Sequence, residues 1–120
     1  MEGLNLVTQN DPKNPAAEAY RVIRTSIQFA QAGKELKTIA ITSCTPNEGK
    51  SMTIANLAIV LTQAGKSVLI MDCDMRNPTV HKNFNLSNKV GLSSCISMGT
   101  AVADAVQETG IEGLDALTAG

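Results

Sequence analysis

The first regular pattern of apolar residues along the chain predicts a helix that begins at Pro15 and ends near Gly33. Asn14 is a favourable N-cap, and proline is favoured at the first helical position. Five apolar residues recur at helical spacing and are expected to face a core: Ala19, Val22, Ile23, Ile27 and Ala30. The opposite face would then present two arginines and a carboxylate outward.

Two short aliphatic and β-branched segments, residues 38–42 and 67–71, predict buried strands. The segment between them, from about Lys50 to Ala64, is apolar almost all round, which is typical of a buried helix. A strand–helix–strand order predicts parallel pairing with a right-handed crossover. Farther along the chain, the pattern predicts three short helices and a third strand, at residues 79–84, 92–98, 101–107 and 114–118.

Composition excludes collagenous, proline-rich and disordered proteins. The chain has 120 residues, of which 43% are apolar and 18% charged, so it has enough apolar side chains for a core. A net charge of −1 and an aromatic content of 2% predict no nucleic-acid partner, because basic patches and stacking side chains are lacking. The three cysteines are far apart in the sequence, and we find no signal peptide or membrane span. A cytoplasmic protein is therefore predicted.

The strongest chemical signal is Gly49-Lys50-Ser51, which opens the buried helix directly after a predicted strand. This is the context of a P-loop, whose backbone N–H groups bind phosphate oxygens at the positive end of a helix. Lys50 would contact the β- and γ-phosphates, and the Ser51 hydroxyl would bind Mg²⁺. Cys44 stands where the P-loop pattern has its first glycine. The expected nucleotide-binding residues are Ser43, Cys44, Thr45, Pro46, Asn47, Glu48, Gly49, Lys50, Ser51 and Met52.

The P-loop fixes the predicted fold class as α/β, with a P-loop NTPase-like parallel sheet flanked by helices. Such sheets usually have five or more strands, and the pattern supplies only two or three. We therefore interpret the chain as incomplete, the N-terminal half of a domain.

Two carboxylates, Asp72 and Asp74, follow the second predicted strand, at the edge where open α/β sheets bind ligands. Both could reach a metal-bound phosphate, or one could accept a proton from a hydroxyl nucleophile. Arg76 adds a positive charge nearby. Alone, this pair is more often a solvated loop, but it follows a P-loop by one βαβ unit.

These segments resemble motifs of the bacterial tyrosine kinases of capsule and exopolysaccharide synthesis. Residues 72–78 resemble the Walker A′ motif of that family, and residues 43–51 resemble its Walker A motif. Glu18, Arg21 and Arg24 match its E-x₂-R-x₂-R motif. The resemblance extends from about residue 15 to residue 120.

The resemblance implies an ATP- and Mg²⁺-dependent kinase that phosphorylates tyrosine. The Walker A residues would bind ATP, with Ser51 and Asp72 on the metal. Lys50, Asp72 and Asp74 would be the catalytic residues, and the two carboxylates would activate the tyrosine hydroxyl. The implied substrates are tyrosine-containing proteins, including the kinase itself.

The resemblance also implies partners. The Glu18, Arg21 and Arg24 motif would mediate self-association into a ring-like oligomer. A transmembrane activator of the chain-length-determinant type, a polysaccharide co-polymerase, would act as membrane adaptor and recruit the kinase to the inner face of the membrane.

The family's later motifs, the Walker B strand and the tyrosine cluster, do not occur in this sequence, in which Tyr20 is the only tyrosine. We therefore expect residues 1–14 to be an N-terminal arm and residues 15–120 to be the N-terminal part of a P-loop tyrosine-kinase domain. The chain by itself is expected to be inactive.

Two alternatives remain open. A partitioning or positioning ATPase of the deviant-Walker type would use ATP as a dimer switch, but its signature lysine is replaced here by Thr45. The second alternative is a non-enzymatic role, in which the face with Glu18, Arg21 and Arg24 is a plain assembly surface. The simplest interpretation of this face is an i,i+3 ion pair worth about 0.2–0.5 kcal/mol.

Overall fold

The computed structural model describes residues 13–30, 37–41 and 50–120, without the side chains of residues 50 and 51. Five helices and three strands form within these residues. The helices are α1 (Pro15–Ala30), α2 (Lys50–Gln63), α3 (Val80–Asn83), α4 (Leu92–Met98) and α5 (Val102–Ala105). The strands are β1 (Val68–Met71), β2 (Gln107–Glu108) and β3 (Leu114–Leu117).

The three strands form one small mixed sheet in the order β1-β3-β2. β1 and β3 are parallel, with Val68 opposite Leu114 and Met71 opposite Leu117. β2 pairs with β3 in the antiparallel direction. The predicted parallel pairing of the segments at residues 38–42 and 67–71 is not seen among the described residues, and β1 has β3 as its parallel partner instead. β2 was not predicted, because two residues are too few to show an alternating pattern.

The predicted strand at residues 38–42 is wrong for the residues that the structure describes there. Residues 37–41 have no strand pairing, and Ile39 is 39% exposed. Residue 42 lies outside the described part of the chain. The β-branched pattern predicts a strand, but a strand forms only where a neighbouring strand accepts and donates its backbone hydrogen bonds.

The hydrophobic core lies between α2 and the sheet and is almost entirely aliphatic, since only 2% of the residues of the chain are aromatic. It is formed by Ala55, Ala58, Ile59, Ile70, Val80, Phe84, Leu114 and Ala116. All residues of α2 from Ala55 to Val60 are buried, which confirms the buried helix. Gly65 ends the helix with a φ of 87°, and Lys66 donates its N–H to the Leu61 carbonyl.

The N-terminus of α1 also confirms the sequence prediction. Asn14 Oδ1 accepts a hydrogen bond from the N–H of Ala16 at 2.8 Å, as expected of an N-cap. The predicted core face of α1, however, is mostly wrong. Val22 is 55% exposed and Ile23 is 42% exposed, while Ala17 is completely buried.

The stripe of α1 that packs against α2 lies one position away from the predicted face. Ala17 is buried, and Tyr20, Arg24 and Ile27 are half-buried at helical spacing. Alanine allows close approach of the two helices, and the aliphatic part of an arginine can cover apolar surface while its charged end finds a polar partner. The spacing of large apolar residues reflects neither the close approach at alanine nor the apolar contacts of arginine, and this explains why the wrong face of α1 was predicted to be buried.

The end of β3 is joined closely to the start of α4. Leu92 and Ser93 donate their N–H groups to the carbonyls of Thr118 and Ala119, at 2.7 and 2.8 Å. Gly91 lies against this junction, where its backbone touches that of residues 118–120. The sheet and α4 are therefore held together by backbone contacts.

Candidate nucleotide site

The N-terminus of α2 and the acidic residues after β1 lie at the same edge of the sheet. α2 packs on β1, and a turn at residues 64–67 reverses the chain between them. The two elements therefore run in opposite directions, so α2 begins where β1 ends. Asp72 and Asp74 follow β1 directly. The structure thus brings the predicted acidic loop to the end of the helix that begins at Lys50.

Most of the predicted P-loop lies outside the described residues. This applies to Ser43, Cys44, Thr45, Pro46, Asn47, Glu48 and Gly49, and to the side chains of Lys50 and Ser51. The start of α2 at Lys50 confirms the predicted helix boundary. Met52, in the first turn of α2, is 37% exposed.

Asp72 is the most constrained of the predicted site residues. Only 6% of its surface is exposed, and its own N–H donates to the Leu117 carbonyl at 3.0 Å, which fixes it to the sheet. Its Oδ1 accepts the N–H of Asp74 at 3.0 Å. Its Oδ2 accepts the N–H groups of Thr79 and Val80 at 2.9 and 3.1 Å.

Asp74 has a different environment from Asp72. Its side chain is half-exposed, and Oδ1 accepts the N–H of Asn77 at 3.1 Å. Arg76 and Cys73 are exposed in the same loop. A carboxylate is a hard oxygen donor of the type that Mg²⁺ prefers. The half-exposed carboxylate of Asp74 therefore fits the predicted metal, whereas both oxygens of Asp72 already accept backbone N–H groups.

The predicted assembly motif on α1 divides into two parts. Arg21 Nε donates to Glu18 Oε1 at 2.9 Å, and these two side chains form a surface ion pair. Arg24, by contrast, donates from Nη1 to the carbonyl of Val60 at 2.7 Å, and this contact is partly buried. The expectation that both arginines point outward is therefore wrong for Arg24.

The contact between Arg24 and Val60 joins α1 to the last turn of α2. That turn has no basic residue of its own, and its carbonyl oxygens form the negative end of the helix dipole. The guanidinium of Arg24 supplies the missing positive charge from a neighbouring helix. The sequence gives no signal for this contact, because the two residues lie 36 positions apart.

We expect the Arg24→Ala variant to have a free energy of unfolding about 1.5–3 kcal/mol below that of the wild type, because the variant loses a partly buried hydrogen bond from a charged donor. Arg76→Ala, which removes an exposed arginine, is the matched control and should change it by less than about 0.5 kcal/mol. Urea denaturation measures both variants. Equal stability of the two variants would contradict the structural role of Arg24.

An open cavity of about 590 Å³ lies at the opposite end of α2. Its lining includes Lys66, Ile111 and Glu112, and it is remote from the acidic loop. The phosphate-binding chemistry predicted from the sequence therefore does not belong to this cavity.

Three features together define a nucleotide-binding protein of the P-loop class. They are a parallel strand pair, a buried helix that begins at a predicted P-loop lysine, and an acidic loop at the same edge of the sheet. The family model CbiA, the CobQ/CobB/MinD/ParA nucleotide binding domain, matches residues 39–115. The chain belongs to this family.

Two relatives of the chain bear the names of bacterial tyrosine-protein kinases, which confirms the resemblance. It is 47% identical over 116 residues to tyrosine-protein kinase YwqD of Bacillus subtilis, covering 97% of this chain and 49% of that protein. It is 44% identical over 115 residues to the putative tyrosine-protein kinase CapB of Staphylococcus aureus, covering 96% and 50%. The chain thus spans about half the length of these two relatives.

The fold is similar to that of a solved tyrosine kinase domain and of a solved chimerical protein. The kinase domain of Escherichia coli tyrosine kinase ETK superimposes with a TM-score of 0.91 at 32% identity, covering 100% of this chain and 47% of that chain. The chimerical protein CapA2B2 superimposes with a TM-score of 0.90 at 43% identity, covering 99% and 53%.

Among the helices formed by the described residues, none has the length and apolar character needed to cross a membrane.

Proposed function

We propose that this chain is the ATP-binding part of a bacterial protein-tyrosine kinase that acts in capsule or exopolysaccharide synthesis. The observation that carries the proposal is the position of the Asp72 and Asp74 loop beside the end of α2 that begins at Lys50. Phosphoryl transfer needs positive charge on the phosphates and carboxylates near the metal and the nucleophile at one place. The names of the relatives support a kinase.

In this proposal the residues of the site divide the work of phosphoryl transfer. Residues 43–52 bind the ATP phosphates, and Lys50 neutralises charge on the β- and γ-phosphates. Ser51 and a carboxylate of the loop after β1 would hold Mg²⁺, which supplies further charge neutralisation when it is bound. A carboxylate of the same loop accepts the proton of the tyrosine hydroxyl.

The partners follow from the same proposal. An open groove of about 300 Å³ on α1 is lined by Glu18, Arg21, Arg24 and Phe29, among others. We assign this surface to self-association of the kinase. A transmembrane adaptor of the chain-length-determinant type is the proposed activator at the membrane, and proteins that contain tyrosine are the proposed substrates.

A partitioning or positioning ATPase is the alternative function, because the family that matches the chain includes MinD and ParA in its name. Thr45 in place of the signature lysine speaks against it. The two functions differ in product. A kinase forms phosphotyrosine, whereas a dimer-switch ATPase releases inorganic phosphate without labelling protein.

The proposal is tested by Lys50→Met in the full-length protein, with Lys66→Met as the matched control. Lys66 is exposed at the other end of α2. Loss of a charge-assisted contact costs about 1.5–3 kcal/mol, so the Kd for ATP should rise about 10- to 150-fold in Lys50→Met. Phosphotyrosine, detected on the protein after incubation with ATP, should disappear in this variant.

Lys66→Met should bind ATP and form phosphotyrosine like the wild type. Phosphotyrosine retained in Lys50→Met would contradict the P-loop assignment. Hydrolysis of ATP by the wild type without any phosphotyrosine would contradict the kinase and support the dimer-switch ATPase.

A further inference from the structure

The carboxylate of Asp72 is held by hydrogen bonds from within the chain, which leaves little of it for a ligand. Both of its oxygens accept backbone N–H groups, from Asp74, Thr79 and Val80. Burial of a carboxylate is costly unless such donors replace water. The three hydrogen bonds therefore explain how the carboxylate of Asp72, a residue with 6% of its surface exposed, is stable at the end of β1.

Asp72 also acts as a distant cap for α3. Thr79 is the N-cap residue of this helix, but its side chain makes no capping hydrogen bond. The first N–H groups of a helix need acceptors from outside the helix. Asp72 Oδ2 accepts two N–H groups there, those of Thr79 and Val80. Asp72 thus links the sheet, through the Leu117 carbonyl, to the start of α3.

The same carboxylate sets the backbone of Asp74. The hydrogen bond from Asp74 N to Asp72 Oδ1 closes a tight turn over residues 72–74. A second turn follows, in which Asn77 N donates to Asp74 Oδ1. Asp74 is half-exposed at the outer side of this loop, while Asp72 lies beneath it. The loop has one carboxylate directed inward to the backbone and one near the surface.

We infer that Asp72 is a positioning residue, which acts through the loop of residues 72–80 to hold Asp74 at the phosphate end of the site. Asp74 is the carboxylate that contacts the metal or the reacting hydroxyl. This division of roles rests on the proposed function of the acidic pair. The conformation of the loop itself does not depend on that function.

The first test is amide hydrogen exchange without nucleotide or metal. In the wild type, the N–H groups of Thr79 and Val80 should be protected, because Asp72 accepts both. In Asp72→Asn, an NH₂ group replaces one of the two oxygens, and exchange at Thr79, Val80 or Asp74 should become at least about tenfold faster. Asp74→Asn is the matched control, since its amide oxygen still accepts from Asn77, and exchange at these positions should not change.

The second test is a double-mutant cycle on phosphotyrosine formation by the full-length protein. If Asp72 acts only through Asp74, the double variant Asp72→Asn, Asp74→Asn should be no slower than Asp74→Asn alone. A general loss of folding would slow the double variant further. Non-additivity therefore separates positioning from a merely structural role.

Three results would overturn the inference: unprotected Thr79 and Val80 amides in the wild type, unchanged exchange in Asp72→Asn, or rate losses that add in the double variant. Hydrogen exchange of the wild type tests whether Asp72 accepts these hydrogen bonds, even when Asp72→Asn fails to fold. Absence of phosphotyrosine in the wild type would instead contradict the proposed kinase, and the role of Asp72 in that reaction with it, while the exchange data would still report on the loop.

Discussion

We expect replacement of Gly91 by alanine to lower the free energy of unfolding by about 2–4 kcal/mol. A Cβ at this position would overlap the Thr118 carbonyl oxygen and would lie 2.6 Å from the Gly120 nitrogen. Both neighbours are backbone atoms, so they cannot rotate away as a side chain could. Relief of the overlap would require separation of α4 from the end of β3 and loss of the hydrogen bond from Leu92 to Thr118.

Gly110→Ala is the matched control for Gly91→Ala. No atom lies within 4 Å of a Cβ at Gly110, although its φ of 89° makes alanine unfavourable there by about 1–2 kcal/mol. Urea denaturation measures the free energy of unfolding of both variants, so the effect of steric overlap in Gly91→Ala can be compared with the effect of backbone strain in Gly110→Ala. A smaller loss for Gly91→Ala than for Gly110→Ala would contradict the close junction between α4 and β3.

The second large effect is expected for Ile59→Ala, which should lose about 2–5 kcal/mol of stability. Ile59 is completely buried in α2 and belongs to the core between this helix and the sheet. Removal of its outer carbon atoms leaves a cavity that the neighbouring β-sheet residues, such as Ile70 and Leu114, cannot fill without moving the strands.

Ile96→Ala makes the same chemical change in α4, where the side chain is 70% exposed. We expect its stability to remain within about 0.5 kcal/mol of the wild type. Midpoints of thermal or urea unfolding compare the two variants. A similar loss in both would mean that α2 does not form the centre of the core.

The helices and strands that the sequence determined are those with a strong local signal. Asn14 and Pro15 mark the start of α1, and the continuous apolar segment before Gly65 marks α2 as a buried helix. The aliphatic runs at β1 and β3 predict these two strands. Each of these features depends on residues that are close in sequence, so a pattern contains the information.

The position of the acidic loop was also determined by the sequence, because Asp72 and Asp74 directly follow a strand in an α/β unit. The different environments of the two carboxylates were not. Asp72 is buried by its contacts with Thr79 and Val80, which follow a turn, and nothing in the D-x-D pattern distinguishes it from Asp74. Residues 43–49 of the predicted P-loop lie outside the described residues, and their role stays a prediction.

Only the tertiary structure decided which side of α1 is buried, what Arg24 binds and whether residues 37–41 form a strand. Each answer depends on a partner far away in the sequence: α2 for the face of α1, the Val60 carbonyl for Arg24, and a neighbouring strand for residues 37–41. The free energy of burial and of hydrogen bonding belongs to a pair of surfaces. The local pattern of apolar residues contains information about one of the two contacting surfaces, and the tertiary structure determines which surface lies opposite it.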